Sequence, residues 1–167
     1  HPAYRRQRQR CIRDGARTAS QLDPVAEEVR AGGTRVVSRI VDITEWDQVE
    51  AFAADVAAEF DSVDILINNA AAGADTDPIA DSDPLAWAKT VTTNVIGPYF
   101  VSRAFISHLS EGARVANFGS GNGHKAVAER SAYGVGKAGL SMLTKCMAIE
   151  LWDRGIEVNE FIPGPTA

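Results

Sequence analysis

The sequence predicts an α/β protein built on a doubly wound parallel sheet, a three-layer α/β/α arrangement with helices on both faces. Two observations carry this. Short β-branched segments alternate with longer helical ones along the chain, the order that makes strands parallel and joins them by right-handed crossovers. The strand segments are also apolar almost throughout, as expected where both faces of a sheet are covered. No internal repeat or low-complexity linker interrupts the alternation in the 167 residues.

The regular pattern begins at Thr18. Residues 20–33, SQLDPVAEEVRAGG, read as a helix with Leu22, Val25, Ala26 and Val29 on one face and Gly32-Gly33 at its end. Residues 34–43, TRVVSRIVDI, are short and β-branched and read as a strand. Residues 44–60 read as a helix, with Thr44 as cap, acidic residues in the first turn, and Val49, Phe52, Ala53, Val56 and Phe60 at helical spacing. VDILIN, 63–68, is a compact apolar strand. Residues 83–109 read as one long helix, with Asp83 as cap and Pro84 in its first turn. A strand at 113–120 (ARVANFGS), a helix at 132–154 and a strand at 156–162 (IEVNEFI) follow.

Ahead of this pattern, residues 1–17 show neither a period of 2 nor one of 3.6. Residues 1–15 are read as an irregular basic arm and 16–167 as one partial domain. The first 17 residues hold six Arg and one Asp, for +5; the net charge is −5, so the remainder carries −10. An acidic body argues against a nucleic-acid surface. No apolar run reaches the roughly 18 residues of a membrane span, and nothing resembles a secretory leader. Cys11 and Cys146 have no metal-ligand spacing and read as free thiols in a reducing compartment. A cytoplasmic protein without metal, membrane or nucleic-acid partner is therefore expected.

Ligands of doubly wound sheets bind at the carboxyl ends of the strands. That singles out Asp42, Asn68 to Ala71, Ser120 and Pro163-Gly164. Tyr133 and Lys137 lie one helical turn apart and share a face. A free tyrosine is a poor acid–base catalyst at neutral pH, and a nearby cation favours its phenolate, so Lys137 can tune Tyr133 as a general acid/base. Ser120 ends a strand thirteen residues earlier and can hydrogen-bond a substrate oxygen beside the phenol. Asn94 lies within the long helix, four residues before Pro98. Proline has no N–H, so the Asn94 carbonyl loses its intrahelical partner; a kink and a seat for a water are expected there.

Asn68-Asn69-Ala70-Ala71, Asn94, Ser120, Tyr133-x-x-x-Lys137 and Pro163-Gly164, in this order and spacing, resemble the short-chain dehydrogenase/reductase family, from about Ala16 to the end. The resemblance implies a Rossmann-like fold and hydride transfer between NADP(H), or alternatively NAD(H), and an alcohol, ketone or oxo-acyl substrate. Tyr133 would be the acid/base. Lys137 would bind the nicotinamide ribose, Ser120 would orient the substrate oxygen, and Asn94 would hold a relay water. Asp42 would meet the adenine, with Ile43 beside it on the cofactor. Asn69 and Ala70 would line the cofactor, and Pro163 and Gly164 would lie along the nicotinamide. Where the family places an acidic residue for the NAD ribose, Ala16 stands here with Arg17 next. An arginine suits a 2′-phosphate, which favours NADP.

Gly134, Gly136 and Gly139 are expected to admit a close neighbour into the last helix; its second apolar face either lies under further chain as a core face or, as the resemblance implies, packs on another subunit. The resulting homo-oligomer would form through the helices at 84–109 and 132–153. Several features depart from the family. A first strand with its glycine-rich turn and a last strand are not recognisable, so truncation at both ends is expected. Gly119 stands where a second Ser is common, and Glu160 lies inside a strand that should be buried and needs a partner. His124, alone in its loop, is expected to be solvated. The missing turn supports an alternative, a catalytically incomplete binding or regulatory domain with no turnover.

Overall fold

The computed structural model describes residues 11–16, 19–73 and 76–164. The chain divides into two compact units, residues 1–42 and 43–167.

In the first unit, β1 (Cys11–Ala16) is joined through α1 (Ala19–Ala31) to β2 (Arg35–Ile40). The two strands pair in parallel, in register from Cys11 opposite Arg35 to Ala16 opposite Ile40. Leu22 and Ala26 of α1 are buried, as are Val37 and Val41. The helix stops at glycines, as expected. Gly33 has φ +79°, and its N–H bonds to the Arg30 carbonyl while that of Thr34 reaches Val29, a Schellman end that needs a residue without Cβ. One expectation is corrected. Residues 11–15, expected in an irregular arm, belong to β1 and to a unit that runs to Asp42. Periodicity within CIRDGA is uninformative, because the strand is specified by its pairing with β2. Residues 1–10 and Arg17 lie outside the described residues.

The second unit carries α2 (Trp46–Glu59), β3 (Val63–Asn68), α3 (Pro84–Val91), α4 (Gly97–Phe105), β4 (Leu109–Phe118), α5 (Ser131–Glu150) and β5 (Glu157–Phe161). Its sheet is parallel in the order β3-β4-β5. The core gathers Ala53 and Val56 of α2, Val63 and Leu66 of β3, Phe105, Leu109, Ala113 and Val115, Met147, and Val158. Asp83 caps α3 as expected, its carboxylate accepting from the N–H groups of Leu85 (2.7 Å) and Ala86 (3.1 Å). Glu45, rather than Thr44, occupies the cap position of α2. On β3 the side chains of Ile65 and Ile67 are exposed, so the expected cover on both faces is not uniform.

The long helix expected at 83–109 is not continuous. A π-helical segment, Thr92–Ile96, separates α3 from α4, and the Gly97 N–H bonds back five residues to the Thr92 carbonyl. Pro98 cannot serve the Asn94 carbonyl, so the ladder widens at this point instead of simply bending. The helix then tightens into a 3-10 turn, Ile106–His108, and Leu109 already belongs to β4. Arg154, after α5, donates to the carbonyls of Ile106 (2.7 Å) and Leu109 (2.5 Å) and fixes that junction. Among the described residues no helix is long and apolar enough to cross a membrane.

Candidate active site

The π-helical segment aims Asn94 at the chain leaving β3. Asn94 is fully buried. Its Nδ2 donates to the carbonyls of Thr90 (2.9 Å) and Ala72 (2.5 Å), and its Oδ1 accepts from the Ala72 N–H (3.3 Å). The side-chain amide thus answers both backbone groups of Ala72, as a neighbouring strand would. Arg130 donates to the carbonyl of the next residue, Gly73 (3.3 Å).

Tyr133 lies against Gly73, where an added Cβ would stand 2.9 Å from the ring. One turn on, the Lys137 Nζ sits 5.7 Å from the centre of that ring and donates to the Phe118 carbonyl at 2.6 Å, at the end of β4. Lys137 is only 3% exposed. Burial pushes its ammonium below the ordinary lysine value, and Glu160 acts in the opposite direction. The expected close neighbour of α5 is the π-helical segment. A Cβ on Gly136 would meet the Asn94 Cβ at 2.6 Å, and one on Gly139 would meet Val95 at 2.8 Å. The helix can approach Asn94 so closely only without side chains there.

Ser120 follows β4 and caps the 3-10 turn Gly121–Gly123, its Oγ accepting from the Asn122 N–H at 3.3 Å. That turn rests on α5, since a Cβ on Gly123 would lie 2.8 Å from the Lys137 carbonyl carbon. Asn94, the 72–73 backbone, Tyr133, Lys137 and the 118–123 segment with Ser120 form one continuous cluster at the carboxyl ends of β3 and β4. His124 is not simply solvated: its Nε2 stands 3.3 Å from the Glu160 carboxylate, which gives that strand carboxylate a partner.

The expected cofactor residues are placed as follows. Asn69 and Ala70 are exposed beyond β3, and Pro163 and Gly164 are exposed beyond β5. Ile43 packs on Gly97, where a Cβ would come within 2.5 Å of it. Asp42, half-buried, follows β2 in the first unit. Among the described residues no cluster of three potential metal ligands exists.

Sequence reasoning missed a buried polar chain across the sheet. Asn68 donates to Ser102 of α4 (3.1 Å) and to Asn117 of β4 (2.8 Å), and Asn117 donates to Thr144 of α5 (2.8 Å). The signal was present in ARVANFGS, where an asparagine interrupts an apolar strand.

The short-chain dehydrogenase family model matches residues 6–167, and the chain belongs to that family. It is 31% identical over 148 residues to cis-4-hydroxycyclohexanecarboxylate dehydrogenase of Sinomonas cyclohexanicum, covering 87% of this chain and 59% of that protein. Its fold matches that of an NAD+-bound xylitol dehydrogenase with a TM-score of 0.87 at 27% identity, over 93% of this chain and 64% of the other. It matches a metagenomic short-chain oxidoreductase in complex with NADP with a TM-score of 0.84 at 30% identity, over 93% and 71%. The chain thus has the Rossmann-like α/β fold of an oxidoreductase family that binds NAD(P). It spans little more than half the length of the first curated relatives it matches.

Proposed function

We propose that this chain carries the catalytic segment of an NADP(H)-dependent oxidoreductase, with NAD(H) as the alternative cofactor, acting on an alcohol, ketone or oxo-acyl compound. The observation that carries the reading is the Lys137 ammonium, buried, tied to Phe118 and placed 5.7 Å from the Tyr133 ring. The residues present fit the nicotinamide half of a dinucleotide. Only one of the three Lys137 donors goes to Phe118, which leaves two for ribose hydroxyls. A Cβ at Gly164 would meet nothing within 4 Å, so a flat ring has room beside Pro163-Gly164. When bound, the nicotinamide supplies or accepts the hydride.

The remaining work falls to the chain's own groups. In reduction the Tyr133 hydroxyl gives its proton to the substrate oxygen; in oxidation the phenolate takes it. The Lys137 cation stabilises the negative charge left on the phenol. Ser120 accepts from Asn122 and so keeps its own O–H to donate to the same substrate oxygen. The Asn94 side chain is committed to Ala72 and Thr90, so its part in a relay would fall to its main-chain carbonyl. NADP is favoured on Arg17, and a neighbour that binds NADP supports it while another binds NAD+. A second copy would dock through the helices at 84–109 and 132–153, where Tyr99, Met142, Ile149 and Trp152 are exposed.

The test is NADPH and NADH fluorescence titration together with turnover on a carbonyl panel. Tyr133→Phe should lower turnover by about 10²–10⁴-fold with dinucleotide binding retained. Turnover unchanged in this variant would remove the acid–base assignment. Dinucleotide binding with no turnover in the parent chain would favour the regulatory alternative.

A further inference from the structure

One carboxylate meets the chain on both sides of Ser120. Before Ser120, the Glu160 side chain lies on Gly119, where an added Cβ would fall 2.7 Å from its Cδ and Cγ. Gly119 is itself tied to β5, its N–H bonding to the Phe161 carbonyl at 2.9 Å. After Ser120 comes the Gly121–Gly123 turn. It closes with the Gly123 N–H on the Ser120 carbonyl and the His124 and Lys125 N–H groups on the Gly121 carbonyl, each at 3.0 Å. His124, which ends this turn, comes back to the same carboxylate. Its Nε2 stands 3.3 Å from one Glu160 oxygen and 3.4 Å from the other. The Glu160 side chain is only 14% exposed.

We propose that Glu160 and His124 are positioning residues of this site: together they clamp the turn that Ser120 caps, and so hold Ser120 in place at the carboxyl end of β4. The proposal rests on the assignment of Ser120 to the site and adds the groups that keep it there. The turn has little stiffness of its own. It is a single 3-10 turn, whose hydrogen bonds have poorer geometry than those of an α-helix, and two of its three residues are glycines. It takes its stiffness from two outside contacts. Gly123 rests on α5, where a Cβ would lie 2.8 Å from the Lys137 carbonyl carbon, and His124 is held by Glu160. The same contact accounts for two departures in the sequence at once. A side chain at 119 would take the space of the carboxylate, so the glycine there is what allows a glutamate at 160 to reach the imidazole.

Amide hydrogen exchange, followed residue by residue by NMR on the full chain, reads the clamp directly. His124→Ala should raise exchange at the Asn122, Gly123 and Lys125 amides by roughly two- to fivefold, the worth of a partly exposed ion pair, and leave that of Leu151, beyond the far end of α5, in place. Gly119→Ala should do the same, since its methyl meets a side chain that can swing aside. The two together should add nothing. His124→Gln keeps a donor for the carboxylate and should hold the parent rates. Unchanged rates in both alanine variants overturn the proposal, as does a His124→Gln protein that exchanges like His124→Ala. In turnover, His124→Ala should lower kcat and leave NADPH affinity unchanged; a loss of NADPH affinity with kcat retained overturns the positioning of Ser120. Exchange needs neither dinucleotide nor turnover. A loosened turn in a chain whose Ser120→Ala variant is fully active would therefore sink the part given to Ser120 in the chemistry and leave the clamp standing.

Discussion

At the scale of single residues, the site is made by burying groups that water would otherwise hold. Asn94 has no exposed surface, and its amide makes three hydrogen bonds. Each contributes about 1 kcal/mol net, whereas a buried polar group left unpaired costs about 1–3 kcal/mol, so the arrangement tolerates little displacement. Lys137 carries a different cost. Its folded value lies below its ordinary 10.5, chiefly because burial disfavours the cation. Below that folded value both states hold the proton and the penalty is present in full. As pH rises towards 10.5 the native state gives up its proton before the unfolded chain does, and the penalty is relieved. Urea midpoints should therefore rise with pH in this window relative to those of Lys137→Met. Parallel curves for the two proteins would contradict the burial of a charged lysine. Tyr133, Lys137, Ser120 and Asn94 could be picked out of the sequence because their types and spacings suit proton transfer. The Glu160–His124 contact could not, since it joins residues thirty-six positions apart and no local pattern reports such a meeting.

At the scale of elements, the informative feature is the fit between α5 and the π-helical segment. The break near Asn94 was legible, because a proline without an N–H must disturb the ladder behind it. Its form was not, since a kink and a widened turn leave the same trace in sequence. The glycines of α5 were legible as weak helix residues, but what they admit became visible only with Asn94 and Val95 in place. Gly136→Ala separates the two effects. Alanine favours a helix by up to about 1 kcal/mol, while forcing a methyl to 2.6 Å from the Asn94 Cβ invites overpacking of about 1–3 kcal/mol. Packing should win, so the midpoint of thermal unfolding should fall. A rise would show that α5 can back away from Asn94 at no cost.

At the scale of the whole molecule, alternation of segment types was enough to predict parallel strands. It could not predict that residues 11–16 form a strand at all, because that depends on a partner strand distant in sequence. The exposed side chains point outward from this scale. Ile149 and Trp152 are 79% and 77% exposed at the end of α5, and with Ala148 and Asp153 they line an open hollow. This is where the proposed second copy would dock. Trp152→Glu should therefore shift sedimentation of the chain towards a smaller species at equal concentration. A parent chain that already sediments as a monomer would refute the proposed self-association.

The buried run from Ser102 through Asn68 and Asn117 to Thr144 crosses three layers, helix to strand to strand to helix. Apolar side chains of similar volume could fill that path in more than one way; amides must find their own mates. Such a run therefore acts as an index mark during folding, admitting only the alignment in which α4 and α5 stand at their correct heights along the sheet, and so bringing Asn94 and Lys137 level before any ligand arrives.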